Sequence, residues 1–312
     1  MNGERVDIVI STYARGDMID GTVADIRRNS HANFTLWVLD QSEDDYTERC
    51  VLRHAAEDAR VIYRRAPLRG LTATRNYGTN LGTAPYILFT NDDCRVAVDW
   101  IEKLVAELTH PETWMVFGRV LRGERPAMAG APQSDEVVVA VKPSEEREVY
   151  RGHRFNLGFG HGHNMGVRRE RFIQLGGFDE FLSGGPLGAW DERDIGYRVL
   201  RLGGTIVYSP EPVVYHCHWQ KWEGVQRSYR NYGIGAGASV AKYMRSGDTA
   251  AIYLLLEWAL SQGVRQVVSG IFKWRKWGKI LIGLSQIFYP WVGLLRGLRH
   301  PFDAKRVLYQ RG

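Results

Sequence analysis

The sequence predicts an α/β fold: a mostly parallel sheet flanked by helices on both faces, with a helical extension at its C-terminal end. Three observations carry this. Short runs of Val, Ile, Leu and aromatic residues alternate with longer amphipathic stretches through most of the chain. The runs lack a strict in-out alternation, which suits strands buried on both faces. The last hundred residues break the pattern and turn apolar, basic and rich in tryptophan.

VDIVI, residues 6–10, reads as the first strand and ends in Ser11-Thr12. Residues 17–29 read as a helix, FTLWVL (34–39) as a second strand ending at Asp40, and 45–58 as a second helix. VIYRR (61–65) is a third strand, LTATRNYGTNLG (71–82) a short helix ending on glycine, and YILF (86–89) a fourth strand. A helix over 98–108 stops near Pro111, and WMVFGRVL (114–121) is a fifth strand. Residues 123–150 carry Gly, Pro, Ala and many charges and are expected to form a long loop. A short helix precedes Gly176-Gly177, a helix runs from Asp191 to Leu202, and short strands follow at 205–208 and 213–215. Parallel sheets bind ligands beyond the carboxyl ends of their strands. Thr12, Asp40, Asp92 and Asp93 are therefore expected along one edge.

Composition narrows the class. At 44% hydrophobic and 24% charged, the 312-residue chain is not built for wholesale disorder. Three scattered cysteines, Cys50, Cys94 and Cys217, signal neither a disulfide framework nor a structural zinc site. The N-terminus runs straight into a strand, so no signal peptide is expected, and a reducing cytoplasm fits. The net charge of +6 is divided unevenly: residues 217–312 hold 15 Lys and Arg against 4 Asp and Glu, so the body before them is mildly acidic. A boundary is expected after residue 218, with 219–312 as a basic, Trp-rich helical region. AIYLLLEWAL and KILIGLSQIFYPWVGLLRGL are flanked by Lys and Arg, and the second is interrupted by Ser285, Gln286 and Pro290. Amphipathic helices at the inner face of the cell membrane fit this better than a true span. A helical cap or a dimer interface is the competing reading.

Chemistry concentrates in four places. YILFTNDDC ends a buried strand in two adjacent carboxylates, which repel and are costly to desolvate. A hard divalent cation would relieve them; a helix N-cap is the plainer explanation. RGLTATRN sets Arg69 and Arg75 beside a helix N-terminus, a phosphate-binding arrangement or simply solvated arginines. WDERD, 190–194, puts three acids in a first helical turn, which the helix dipole alone would favour; a general base is the functional alternative. VVYHCHW offers His216 or His218 as a metal ligand.

The order of these features resembles the family 2 glycosyltransferases, which have the Rossmann-like GT-A fold. The resemblance covers about residues 5–218 and rests chiefly on RGLTATRNYGTNLGTAPYILFTNDD and GGFDEFL…WDERDIGYRVLRLGG. It implies an inverting, metal-dependent transfer of a sugar from a nucleoside diphosphate to an acceptor hydroxyl, in polysaccharide, glycan or glycolipid synthesis. Asp93 would bind Mn2+ or Mg2+, with His216 completing its shell. Asn91 and Asp92 would approach the donor; Asn91 stands where the family often has Asp. Thr12, Tyr13 and Asp40 would hold the nucleotide base, with Arg15 beside them and Arg69, Arg75 and Asn76 near ribose or diphosphate. Glu192 would be the general base, with Asp191 as the alternative; Asp is commoner than Glu at that position. Trp190 and Asn164 are expected at the acceptor, Trp190 by stacking on a sugar or else by packing.

The expected partners are a UDP- or dTDP-sugar and a saccharide or lipid-linked acceptor. Three other readings compete. A nucleotidyltransferase would favour a Gly-rich basic loop after the first strand, where STYARGD offers only Arg15 and Gly16. A catalytically inactive sugar-nucleotide binder or membrane scaffold would have no need to keep both acid groups. Nucleic-acid binding is suggested by the basic tail alone, without a recognised motif.

Overall fold

The computed structural model describes residues 3–124, 137–274 and 277–311; residues 125–136 of the expected loop at 123–150 thus lie outside the described residues, and its end is not loop but a short strand, Glu148–Tyr150. The chain forms two compact units: Met1–Phe178 with Ile195–Trp219, and Asp179–Asp194 with Gln220–Gly312.

The first unit is built on a nine-stranded sheet. Its strands are β1 (Val6–Thr12), β2 (Phe34–Asp40), β3 (Val61–Arg65), β4 (Tyr86–Asn91), β5 (Cys94–Val96), β6 (Thr113–Arg122), β7 (Glu148–Tyr150), β8 (Met165–Arg168) and β9 (Thr205–His216). The spatial order is β3-β2-β1-β4-β8-β6-β9-β5, with β7 beside β9. The first four strands pair in parallel, as do β6 and β9. β8 runs antiparallel between β4 and β6, and β5 antiparallel to β9. Helices α1 (Gly16–Arg27), α2 (Tyr46–Glu57), α3 (Leu71–Thr79), α4 (Trp100–Leu108) and α5 (Arg169–Gln174) connect them.

β1 and β4 are central strands, and nearly every residue in them is buried, as an apolar run without alternation requires. Ile8, Ile10, Val23, Ile26, Leu36 and Trp100 belong to one apolar cluster that joins the sheet to its helices. Full burial of such side chains stabilises by about 1.5–3 kcal/mol each. Asp7 breaks the apolar pattern of β1 without exposing a charge. Its carboxylate accepts from Arg169 Nη2 at 2.6 Å, the Ala84 amide at 2.8 Å and Trp37 Nε1 at 3.1 Å.

Three features depart from the sequence expectation. The short strands at 205–208 and 213–215 are one strand, β9, whose register against β6 slips between Ser209 and Val213. Pro210 and Pro212 lie in that slip, where ladder donors are not required. β5 and β8 were not expected, because three or four residues carry too little periodicity to read.

The second unit is mostly helical: α7 (Trp222–Arg245), α8 (Ile252–Trp258), α9 (Arg265–Val268) and α10 (Trp277–Arg299). Single π-helical turns at Ala259–Val264 and Ser269–Trp274 follow α8 and α9. α10 runs unbroken through Ser285, Gln286 and Pro290. Gln286 is buried, accepting from Trp258 Nε1 at 3.1 Å and donating to the Tyr229 carbonyl at 2.8 Å. Glycines let α7 and α10 approach closely: a Cβ on Gly237 would lie 1.8 Å from the Pro290 carbonyl oxygen, and one on Gly293 1.9 Å from that of Ile234. The last helix, α6 (Asp191–Arg201), gives its acidic first turn to this unit and its remainder to the first.

Candidate active site

Strand register assembles the site. At the carboxyl end of β1, Ser11 lies opposite Asn91 and Thr12 opposite Asp40. Asp92 and Asp93 form the turn between β4 and β5. The antiparallel pairing of β5 with β9 then sets Cys94 opposite His216, and the Cys217 amide donates to the Asp93 carbonyl at 2.8 Å. Thr22 Oγ1 of α1 bridges the Asp92 and Cys94 carbonyls at 2.8 and 2.7 Å, fixing the turn from the other side.

Asp93 is the centre of this cluster. Arg15 Nη1 lies 2.6 Å from its Oδ2, and 3.8 Å from Asp92 Oδ1. His216 Nε2 lies 3.6 Å from Asp93 Oδ1 and His218 Nδ1 3.5 Å from Oδ2. His216 Nδ1 meets the Val139 carbonyl at 3.0 Å, so Nδ1 carries the hydrogen. Nε2 therefore faces a carboxylate with either a second proton or a lone pair. In either state a positive charge belongs between them, a proton or a metal ion.

The two acids are pushed apart. Burial raises Asp92, and the neighbouring Asp93 raises it further, to about 7, against the pull of Arg15. Burial also disfavours the charged form of Asp93, but His216, Arg15 and His218 outweigh it and hold that carboxyl well below its usual range. One acid is firmly anionic while its neighbour accepts a proton near neutrality. This is how a buried strand can end in two carboxylates.

The donor set fits a hard divalent cation. Asp93, Cys94 and His216 offer ligand atoms within 4.8 Å of one another. Burial pushes the Cys94 thiol well up, so it stays protonated and leaves one carboxylate and one imidazole as donors. That set would suit Mn2+ or Mg2+ better than a soft metal. Sequence reasoning missed the stack behind His216: His163 lies 4.5 Å from it and His161 5.6 Å from His163, ring centre to ring centre. The HGH run at 161–163 was the available signal.

The residues expected at the donor divide into two groups. Tyr13 is 53% exposed and follows the buried Thr12; with Arg15, Asn91, Asp92 and Asp93 it lies at the same sheet edge. Asp40, Arg75 and Asn76 are engaged by the scaffold. Asp40 is fully buried and accepts from the Ser42 amide, the Ser42 hydroxyl and Tyr63 at 2.8, 2.5 and 3.0 Å. It thereby shapes the loop whose Ser42 Oγ receives the Ala14 amide at 2.8 Å, where Ala14 adopts φ +52°. Arg75 is buried and donates to Asn91 Oδ1 at 2.8 Å and the Gly162 carbonyl at 3.0 Å. Asn76 clamps the Phe178 amide and carbonyl at 2.9 and 3.0 Å. Arg69 is exposed and pairs with Glu43 at 2.5 Å.

Both residues expected at the acceptor are engaged by the scaffold, Trp190 in the packing role that was its alternative reading. Asn164 is fully buried: its amide donates to the Arg119 and Pro212 carbonyls at 2.8 and 2.9 Å and accepts from Trp100 Nε1 at 2.8 Å. A side chain with both hydrogens spent on the scaffold cannot reach a ligand. Trp190 is buried as well, edge-on to Trp258 at 4.7 Å with the Arg193 guanidinium over both rings. Its faces serve packing, not sugar stacking.

The first turn of α6 holds three acids with different fates. Asp194 is fully buried, 2.8 Å from Lys242 Nζ, and accepts from Tyr243 OH at 2.9 Å. Asp191 is buried. Glu192 is partly exposed and has no hydrogen bond or ion pair among the described residues.

Comparison with known proteins agrees with this geometry. The family model "Glycosyl transferase family 2" matches residues 7–176. A glucosyl-dolichyl phosphate glucuronosyltransferase of Haloferax volcanii is 24% identical over 179 residues, which cover 56% of this chain and 56% of the relative. The chain thus spans about half the length of this curated relative. Among solved structures, the mannosyltransferase PcManGT of Pyrobaculum calidifontis, in complex with GDP-Man and Mn2+, has a TM-score of 0.62 at 16% identity, over 93% of this chain and 87% of that one. Residues 1–349 of S. aureus TarS have a TM-score of 0.51 at 12% identity, over 74% and 65%. These likenesses show the fold, which is that of the GT-A glycosyltransferases. A model match over more than half the residues shows more: the chain belongs to glycosyl transferase family 2.

Proposed function

We propose that this protein is an inverting, divalent-cation-dependent glycosyltransferase, transferring a sugar from a nucleoside diphosphate to an acceptor hydroxyl. The observation that carries the proposal is the buried Asp93–His216 pair, whose facing oxygen and nitrogen lie 3.6 Å apart and offer a divalent cation two hard donors. Bound there, Mn2+ or Mg2+ supplies charge neutralisation to the diphosphate leaving group. The protein's own residues do the rest. Arg15 presents a second positive charge beside the acids, favouring an anionic donor. Asp92 lies 3.8 Å from the same guanidinium, and it and Asn91, at the end of β4, would meet the donor's ribose and sugar. Glu192 accepts the proton of the acceptor hydroxyl as that oxygen attacks the anomeric carbon from the side opposite the diphosphate. Such general-base assistance contributes typically ~10²–10⁴-fold. The unengaged carboxylate of Glu192 supports this role over Asp194, which Lys242 holds.

The dolichyl phosphate in the Haloferax relative's name and the basic, apolar tail support a lipid-linked acceptor. The test is a thermal-shift panel of nucleoside diphosphates and nucleotide sugars with and without Mn2+. UDP and dTDP donors head the panel; GDP donors follow, because the Pyrobaculum structure holds GDP-Man. A Mn2+-dependent shift that Asp93→Ala removes is expected. Glu192→Gln should keep the shift and lose transfer at least 10²-fold. Full activity in Glu192→Gln would move the base to Asp191. No shift with any nucleotide would favour the inactive-binder reading.

A further inference from the structure

We infer that the helical hairpin formed by residues 252–299 is a monotopic docking surface for an anionic phospholipid bilayer. Two apolar stripes face outward on it. Along α8, α9 and their π-turns, Tyr253, Leu256, Leu260, Val264, Val268 and Phe272 are exposed. Along α10, Trp277, Leu281, Leu284, Phe288, Trp291 and Leu295 are exposed, spaced alternately by four and three residues. Glycines hold the two arms together: a Cβ on Gly263 would meet Ile287, and one on Gly283 would meet Val267. The stripes thus belong to one antiparallel pair; among the described residues its most exposed aromatics, Phe272 (80%) and Trp277 (77%), stand where one arm ends and the other begins. So large an apolar surface marks an interaction site, not a solvated face.

Charge selects the occupant. Residues 252–299 carry seven Lys and Arg against a single acid, Glu257, and the sequence joining the two arms, 273–277, reads KWRKW. Basic residues near an anionic leaflet add electrostatic attraction. A second copy of this chain would bring the same positive charge to the same face and be repelled. The groove between α7 and α10 adds a headgroup site of about 390 Å³. Arg227 and Arg230 face Leu281, Ser285 and Tyr289 across it, with Glu223 at its rim.

A span is the alternative, because α10 has the length and mean hydropathy, 1.2, to cross a membrane. Its packing argues against that. One side of α10 is closed onto α7 through Gly237 and Gly293, and α7 bears exposed Glu223, Arg227 and Arg230 that hydrocarbon would not accept. An in-plane seat, with apolar stripes in the acyl boundary and cations at the headgroups, satisfies both faces.

This deepens the lipid-linked acceptor reading, yet its test needs no turnover. The full chain is mixed with vesicles of phosphatidylcholine alone or with about 30% phosphatidylglycerol, and the bound fraction is measured by flotation, at low and high salt. Binding to anionic vesicles should exceed binding to neutral ones at least tenfold at low salt and weaken as salt rises. Phe272→Glu/Trp277→Glu, changed at exposed positions, should lose binding at least tenfold while keeping the parent's circular dichroism and melting temperature. Arg227→Gln/Arg230→Gln should lose only the preference for anionic vesicles. Failure of the wild type to float with either vesicle would overturn the inference. So would equal flotation of the Glu double variant, or a dimer in solution that this variant dissociates. A negative nucleotide panel with positive flotation would refute the transferase reading and leave the docking surface standing.

Discussion

Lys242→Met should cost the protein about 3–5 kcal/mol of stability. The Lys242 ammonium lies 2.5 Å from Asp179 Oδ2 and 2.8 Å from Asp194 Oδ1, and all three side chains are wholly inaccessible to solvent. Removing one partner of a buried ion pair typically costs that much, because the other charge stays buried without compensation. Here two carboxylates would be stranded. Asp179 would keep the Tyr309 and Phe181 amides, each at 3.0 Å, and Asp194 would keep the Tyr243 OH at 2.9 Å. Methionine fills the space but returns no charge. Urea unfolding followed by tryptophan fluorescence reads the loss, since Trp190, Trp222, Trp258, Trp277 and Trp291 all belong to the second unit. Lys242→Met/Asp179→Asn/Asp194→Asn restores electrical balance and should recover a substantial part of it. A single variant within about 1 kcal/mol of the parent would refute the reasoning, for it would mean the acids are already neutral in the fold. The same variant should disturb the proposed general base, because Asp194 lies in the helical turn that carries Glu192.

Further outcomes follow from other sites. Arg15→Met removes a cation 2.6 Å from Asp93, so titration calorimetry should find Mn2+ alone binding tighter, roughly tenfold, and nucleoside diphosphate binding weaker. Weaker Mn2+ binding would count against the Asp93 site. Two hydrogen bonds from Arg60, at 2.9 and 2.8 Å, hold the Asp58 carboxyl at about 2, against roughly 3.9 in the unfolded chain. A depressed carboxyl stabilises above the unfolded value and loses that contribution as pH falls toward the folded one. Asp58→Asn should therefore lower stability at neutral pH by less than about 1 kcal/mol, a difference that closes between pH 4 and 2. Gly237→Ala forces a methyl onto the Pro290 carbonyl and should destabilise the α7–α10 pairing by about 1–3 kcal/mol, read as a lower urea midpoint.

The sequence by itself determined the alternation of strands and helices, the polar residues that close the first, second and fourth strands, and the basic, apolar character of the tail. These are local signals: apolar runs, glycine stops and charge balance are written in neighbouring residues. The family resemblance named Asp93 and His216 together, but the way they meet needed tertiary structure, because β5 and β8 are too short to announce themselves and antiparallel insertion cannot be read from a βαβ rhythm. The same limit applied to Asn164 and Trp190, whose residue types suited a ligand site while their surroundings spent them on the scaffold. It also separated the acids of WDERD: three carboxylates within four residues look alike in sequence, but Lys242, some fifty residues on, holds Asp194, while Glu192 has no hydrogen bond or ion pair among the described residues. Which polar group is satisfied by the fold and which is left for a ligand is a property of long-range neighbours, and a one-dimensional pattern does not contain them.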